Sequence, residues 1–470
     1  MPKKIAIIGG GISGLCTALK LADKYEVHIF EKCSQFGGLA KSIKKGNYIF
    51  DIGPHAFHTD NKDTLENFKK IMDNEIISFE KRVLINHNGR YYKYPLKPFD
   101  VLLRMNPFYS LWCILNLLYV KTKYRFIRSK DRSADEWLSN RFGKPLYELF
   151  FKGYTTKVWG VPPKNLSPLF TQHRIPIINF RDMILRGILN IKKSFDEGHK
   201  FAPQVFKIYY PKKEGIGYFA EKLVKKNKGK GVKLHKNSEV TKINVKNNKV
   251  HSIEFKKKKK KVIKFHPDIL ISTIPIDEFI RKLKTSPKIK NALKYLDYRS
   301  LLIVCMVVNK DNIFKILHVY FRDKFFHRLS ELKNFNKQLF KKGKTGLIAE
   351  ITCDYNDNLW KMNDKNIFEN TVKDLEKEKF VKMSDVEDFF VLRIKNAYPR
   401  YGIGFEKALN DIYTKFKKIS NLYSIGRQGL FRYIDMDICM KNAFDLALEI
   451  NSNKNKKIYN EFNIEKTPYI

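Results

Sequence analysis

The stretch KIAIIGGGISGLCTALKLADKYEVHIFEK occupies residues 4–32 and leaves the amino-terminal chain little freedom. Its first part, KIAIIGG, is a continuous apolar run ending in glycine, the pattern of a strand buried on both faces. SGLCTALKLAD places apolar side chains at helical spacing, and YEVHIFEK reads as a second strand. Together they make a βαβ unit of about 30 residues. Gly9, Gly11 and Gly14 stand in G-x-G-x-x-G spacing, and Glu31 closes the second strand. The triplet alone is a weak signal. Strand, helix, second strand and terminal acid around it make a dinucleotide site. Gly9 permits the tight turn, Gly11 lets the backbone approach a diphosphate, and Gly14 lets helix and strand pack closely. The helix N-terminus offers unpaired N–H groups and partial positive charge, and Glu31 can accept hydrogen bonds from ribose hydroxyls.

A chain of 470 residues exceeds one typical core, so two or three domains or one interleaved α/β body is expected. Hydrophobic content of 43% is enough for such cores and excludes a disordered chain. Six scattered cysteines form no C-x-x-C, which argues against a zinc ribbon or redox pair and for reduced thiols in a cytoplasmic protein. No metal-ligand cluster and no Ser-His-Asp triad can be read. The first strand begins almost at once, so no targeting segment is expected. The longest apolar run, PFYSLWCILNLLYV at 107–120, falls short of the roughly 20 residues a transmembrane segment needs, and is expected to be a buried helix rather than a membrane-surface or substrate-channel helix. The formal charge of +43 suits nucleic acid, an anionic membrane or an anionic small substrate. Lys, Asn and Ile recur throughout, which reads as a solvated basic surface. No recognition helix or aromatic-basic module accompanies it, so no specific nucleic-acid partner is expected.

Residues 60–200 read as mostly helical, and the helix within RSADEWLSNRFGKPLYELFFKGYTTKVWG is expected to end near Lys152–Gly153. From 205 strands take over. The asparagines of VKNNK mark a turn between two of them, and Lys256–Lys261 reads as a solvated guard on a hairpin edge. Strand patterns return over 300–360, and the chain is helical from 405. The fold class expected is α/β, a Rossmann-like domain with an inserted α+β substrate domain. The first would be discontinuous, from 1–60, 205–275 and 395–450, the second from 61–204 and 276–394, with 451–470 a C-terminal tail.

After Glu31 comes KCSQFGGLAKS, where Gly37-Gly38 and then Ser42 give E-x5-G-G-x3-S. This resembles the extended motif of the large FAD-binding superfamily that holds amine oxidases, protoporphyrinogen oxidases and UDP-galactopyranose mutases. FDIGPHAFHT, residues 50–59, resembles the G-P-H-x-F-H-T of bacterial UDP-galactopyranose mutases and implies His55 and His58 near flavin or substrate. GYTTKVWGVPPKNLSPLFTQHRIP, 153–176, is similar to another segment of that family, and implies Trp159 in the substrate cleft and Arg174 on a substrate phosphate. TIPIDEFI and LDYRSL resemble two more, the second implying that Arg299 contacts the diphosphate. SIGRQGLFRYIDMD, 424–437, resembles the closing flavin segment, with Gly426 and Arg427 toward the FAD diphosphate or ribityl chain and Asp435 and Met436 near the ring. Tyr154, Trp159 and Tyr398 are aromatic candidates for stacking on uracil or lining the cleft.

The resemblance implies FAD as cofactor and an anionic nucleotide-sugar as substrate. It implies an isomerase that interconverts pyranose and furanose rings through an adduct at N5 of reduced flavin, an electron donor to reduce that flavin, and room for a homo-oligomer. YPKKEGIGYFAEKL, 210–223, is similar to the protoporphyrinogen-oxidase-like branch instead, and keeps an FAD-dependent oxidoreductase of that type as the alternative.

Overall fold

The structure is a computed structural model that describes residues 2–93, 105–126, 131–172, 207–257 and 261–452. Strand Lys4–Ile8 lies parallel between Glu26–Phe30 and Ile269–Ser272. Lys233–His235 and Leu422–Ser424 extend the two edges, so five parallel strands come from widely separated parts of the chain. Ile5, Ala6 and Ile7 are wholly buried, which is why this strand is apolar without alternation. Helix Ile12–Leu21 packs on Gly217–Gly229 and Met436–Asn451, and all of its residues but Lys20 are buried.

A second, seven-stranded sheet runs Val386–Arg400, Asp297–Val308, Thr345–Cys353, Arg328–Glu331, His318–Phe321, Val83–His87, Arg90–Lys93. Its neighbours pair antiparallel except Val83–His87 with His318–Phe321. Strand Asp297–Val308 is buried on both faces. Leu302, Val304 and Met306 join Ile367, Val372 and Leu375 of the helix Asp364–Lys377 in one core. Leu301, Ile303 and Cys305 join Phe50, Ile208 and Tyr210 in another. That second face looks toward the segments that connect the two sheets, and the candidate site lies between them.

Three expectations hold and two do not. Strands Ser238–Lys246 and Lys249–Lys257 turn on Asn247 and Asn248, at φ 50° and 54°. Two positive φ values in succession are the turn that matches strand twist, and asparagine tolerates them. In the lysine run that follows, residues 258–260 lie outside the described residues. The carboxyl-terminal chain is largely helical from 405, as Phe405–Lys417 and Met436–Asn451.

The region 60–200 is mostly helical where it is described, but three strands interrupt it. Ile76–Glu80 pairs with Lys207–Pro211 and Val83–His87 with His318–Phe321, each more than a hundred residues away, while Arg90–Lys93 folds back on Val83–His87 as a hairpin. The helix expected to end near Gly153 does not end there. Ala134–Phe142 stops at Gly143 (φ 78°), and after a wide turn the chain runs helically from Gly153 to Trp159, closing on left-handed Gly160 (φ 71°). The stops fall where positive φ is required. Gly153 instead admits a close neighbour, since a Cβ there would sit 2.8 Å from Cδ of Arg322. Helix Pro107–Phe126, expected to be buried, lies at the surface with Phe108 84% and Trp112 54% exposed.

Candidate functional site

One wall of the site is made of backbone. Gly9 has φ 103°, and a Cβ on it would fall 2.3 Å from Thr273 Oγ1. A Cβ on Gly14 would fall 2.2 Å from the carbonyl oxygen of Gly9. The second glycine pair packs directly on the first loop. Gly37 N donates to Gly10 O at 2.8 Å, Gly11 bridges to Gly37, and a Cβ on Gly38 would lie 3.1 Å from Gly11 Cα. Both Gly37 (φ 116°) and Gly38 (φ 59°) use backbone conformations that L side chains rarely adopt. Glu31 is buried and ties these loops. Its carboxylate accepts from Gly10 N and Cys33 N, each at 2.8 Å. Helix Ile12–Leu21 starts on Gly11 with no side-chain cap and no acid in its first turn, so its N–H groups and dipole remain available to an anion.

The carboxyl-terminal motif folds onto this helix start. Gly426 has φ 84°, and a Cβ on it would meet Ser13 Oγ at 2.6 Å. Arg427 lies with its guanidinium 4.0 Å from the ring centre of Tyr433 and 5.2 Å from that of Tyr398, and its Nε is buried without a protein partner. Asp435 opens the helix Met436–Asn451, and half-buried Met436 touches both cores.

The other wall is the sheet. Arg328 and Glu350 stand opposite each other on paired strands and form a two-pronged ion pair, with Arg328 Nη2 donating to Glu350 Oε1 at 2.6 Å and Nε to Oε2. Glu350 is 1% exposed. This pair reaches the amino-terminal histidine segment, since a Cβ on Gly53 would lie 3.5 Å from both Glu350 Oε1 and His55 Cε1. Loss of solvent, then the charges of Arg328 and Arg427, push the His55 pKa down to about 4. Its ring is neutral at pH 7, and Nδ1 is buried without a partner. His58 differs. Burial works against its charged form, but the hydrogen bond and charge of Asp435, 3.4 Å away, prevail and raise its pKa.

Aromatic rings complete the wall. Tyr398 stacks on Tyr433 at 5.2 Å, Trp159 lies 6.2 Å from each, and Tyr154 meets Tyr320 edge-on at 5.8 Å. Burial raises the pKa of Tyr154 and of Tyr398, so both keep their phenolic protons and are hydrogen-bond donors. Beneath the histidine segment, Asp51 accepts from Ser42 Oγ (2.6 Å), Tyr210 Oη (2.5 Å) and Ile216 N (3.0 Å). Burial outweighs these three bonds and pushes its pKa up to about 6. Ser42, the last residue of the extended motif, thus pins the hairpin Ser42–Asp51 to the helix Gly217–Gly229 through Gly217 N, 2.7 Å from its Oγ.

The structure therefore gathers His55, His58, Tyr154, Trp159, Tyr398, Arg427, Asp435 and Met436 around one region. Arg299 is buried and elsewhere engaged, with Nη1 2.6 Å from Asp354 Oδ1 and Nε donating to Val158 O. Arg174 lies outside the described residues. Sequence reasoning missed Arg328, Glu350, Tyr320 and Tyr433. The signal for Glu350 is a charged residue inside the otherwise apolar strand TGLIAEITC, which buries it only beside an opposite charge, whereas Arg328 in the polar HRLSEL gives no such signal.

A model of the flavin containing amine oxidoreductase family matches residues 12–389. The chain belongs to this family. FAD is the cofactor that membership implies, and the residues present fit it: a loop that admits no Cβ, an uncapped helix start, and orphaned polar atoms on His55 and Arg427. The chain is 31% identical to the probable UDP-galactopyranose mutase of Klebsiella pneumoniae over 189 residues, covering 38% of this chain and 47% of that protein. It is 30% identical to the dTDP-fucopyranose mutase of Escherichia coli over 191 residues, covering 38% and 48%. The chain thus spans about half the length of these curated relatives. A solved structure of reduced UDP-galactopyranose mutase superposes with a TM-score of 0.81 at 19% identity, covering 99% of this chain and 98% of that one. The likeness extends the shared fold, a Rossmann-like FAD domain with an inserted α+β part, over the whole chain.

Proposed function

We propose that this flavoenzyme isomerises a nucleotide-sugar, interconverting its pyranose and furanose forms, as the names of its relatives suggest. Gly9, Gly11, Gly14, Glu31, Gly37, Gly38, Gly426 and Arg427 would hold FAD, with His55, Asp435 and Met436 beside its ring. The chain would divide into a discontinuous cofactor body and an inserted substrate body. When bound and reduced, the flavin supplies the electron-rich nucleophile and sink that such a ring interconversion requires.

The observation that carries this reading is a pair of guanidinium groups at the site. Arg328, held flat by Glu350, and Arg427, held against Tyr398 and Tyr433, lie beside a histidine at position 55 that is neutral. Glu350 cancels the charge of Arg328, but the N–H donors left on both guanidinium groups suit the oxygens of a diphosphate. Tyr154 and Tyr398 retain their protons and donate to phosphate or sugar oxygens. Neutral His55 can accept or donate one hydrogen bond without adding charge. Trp159, packed on Phe170 at 4.7 Å, gives the cleft a rigid aromatic side. Arg299 keeps N–H donors beyond those spent on Asp354 and Val158, and with Arg174 it would clamp the diphosphate.

The test is direct. The purified protein, reduced with dithionite, is given UDP-galactofuranose or dTDP-fucofuranose and the products are separated by chromatography. Conversion to the pyranose form only after reduction supports the reading. No conversion of either, together with peroxide formation from an amine or porphyrinogen in air, would replace it with an oxidase.

A further inference from the structure

Helix Pro107–Phe126 carries a run of exposed apolar side chains that the proposed chemistry does not use. It touches the rest of the described protein along one edge. Ser110 and Cys113 are buried, Tyr109 Oη donates to Pro145 O at 3.4 Å, and Asn116 Oδ1 accepts from Lys144 N at 3.0 Å. On the outer side Phe108 is 84% exposed, Leu111 55%, Trp112 54%, Leu115 53% and Tyr119 63%. These positions recur at i, i+3, i+4, i+7 and i+11, so they form one stripe down one face. A soluble monomer seldom leaves such a contiguous apolar patch in water.

Charge decides what would cover it. Helix Pro107–Phe126 holds three basic side chains, Lys121, Lys123 and Arg125, and no acid. The neighbouring acids already have partners. Glu148, which acts on Tyr109, pairs with Lys152 at 3.7 Å; Asp131 pairs with Arg141 at 2.6 Å; and Glu136 pairs with Arg132 at 2.7 Å. A twofold contact between copies would bring two such acid-free segments together, where like charges oppose each other. An anionic lipid surface neutralises them instead, and the whole chain, at +43, is drawn the same way. The aromatic rings on the stripe have the half-apolar character that favours the headgroup layer. Among the described residues no helix is long and apolar enough to cross a membrane, so this one would lie flat.

We propose that Pro107–Phe126 is a membrane-surface anchor that sets its apolar stripe, Phe108 to Tyr119, into the headgroup layer of an anionic phospholipid bilayer. The proposal does not rest on the identity of the substrate. The test floats the full-length, FAD-loaded protein with vesicles of phosphatidylcholine carrying phosphatidylglycerol. Binding should fall about tenfold when phosphatidylglycerol is omitted or salt is raised. L111E/L115E should lower it about tenfold in the mixed vesicles while flavin absorbance and melting temperature stay at parental values. Brominated lipid should quench tryptophan emission in the parent and not in W112F. Three results would overturn the proposal: no flotation with either vesicle, equal flotation of L111E/L115E, or a parental dimer without flotation that L111E/L115E converts to monomer. The last would mark the stripe as a contact between copies.

Discussion

The glycine cradle at residues 9–14 and the sheet wall around Arg328 hold a ligand by different means. The cradle has no side chains to move. Its shape is set by positive φ angles and by main-chain atoms in contact, as where Gly9 O fills the space a Gly14 Cβ would need. The wall is all side chain. Arg328, Glu350, Tyr320 and Tyr398 come from four different strands and are held by each other. A backbone site tolerates nothing added to it. A side-chain site fails instead when one member is taken away and its partner is left buried alone.

The largest effect expected follows from the first half of that contrast. Gly14→Val places carbon against the Gly9 carbonyl and should lower FAD affinity more than about a thousandfold, some 4 kcal/mol, read as flavin absorbance retained through gel filtration. A variant as yellow as the parent would break the comparison. Next comes the wall. Arg328→Met leaves the Glu350 carboxylate buried without its cation and should cost about 3 kcal/mol in thermal or urea unfolding. Adding Glu350→Gln should recover most of that loss. Single and double variants that unfold alike would show the pair to be uncoupled.

The smallest effect is one of pH. His55 has a folded-state pKa below its unfolded value, so it favours the neutral ring. The stability linked to it is present above the ordinary histidine range and is lost as pH falls from there through about 4. For His58 the sign reverses. Its raised pKa gives stability at acid pH that disappears as pH rises through the folded value. Ring-nitrogen NMR across this range should therefore find two histidines three residues apart titrating on opposite sides of the ordinary value. Overlapping titrations would mean that the Asp435 contact and the Arg328–Arg427 field do not act as the geometry implies.

The same contrast explains what could be read from the chain beforehand. The cradle was legible because its constraints are local: Gly9, Gly11 and Gly14 sit within one turn and strand end, and Gly37-Gly38 follow Glu31 by six positions. The Asn247–Asn248 turn was legible for the same reason. The wall was not, because Arg328 and Glu350 meet only through the pairing of strands that no short motif announces. Strand Ile76–Glu80 was hidden in the same way, since its partner is distant, whereas Val83–His87 and Arg90–Lys93 form a hairpin over Asn88-Gly89 that was there to be read. Helix Pro107–Phe126 failed differently. Apolar spacing shows that a face avoids water, but it cannot tell whether the cover is the protein's own core. Arg299 was found by resemblance, yet Asp354 and the Val158 carbonyl hold it in place, a partnership set by the loop after Thr345–Cys353.

The parallel sheet has a consequence for how the chain is made. Strand Lys4–Ile8 is made early, but Leu422–Ser424, which covers the open side of Ile269–Ser272, is translated about four hundred residues later. At about 5–20 residues per second the ribosome needs tens of seconds to travel between them. Throughout that interval the nascent protein carries an unpaired edge and lacks Gly426 and Arg427. Termination shortly before Leu422 would thus release a polypeptide prone to aggregate, with its cofactor pocket still open on one side.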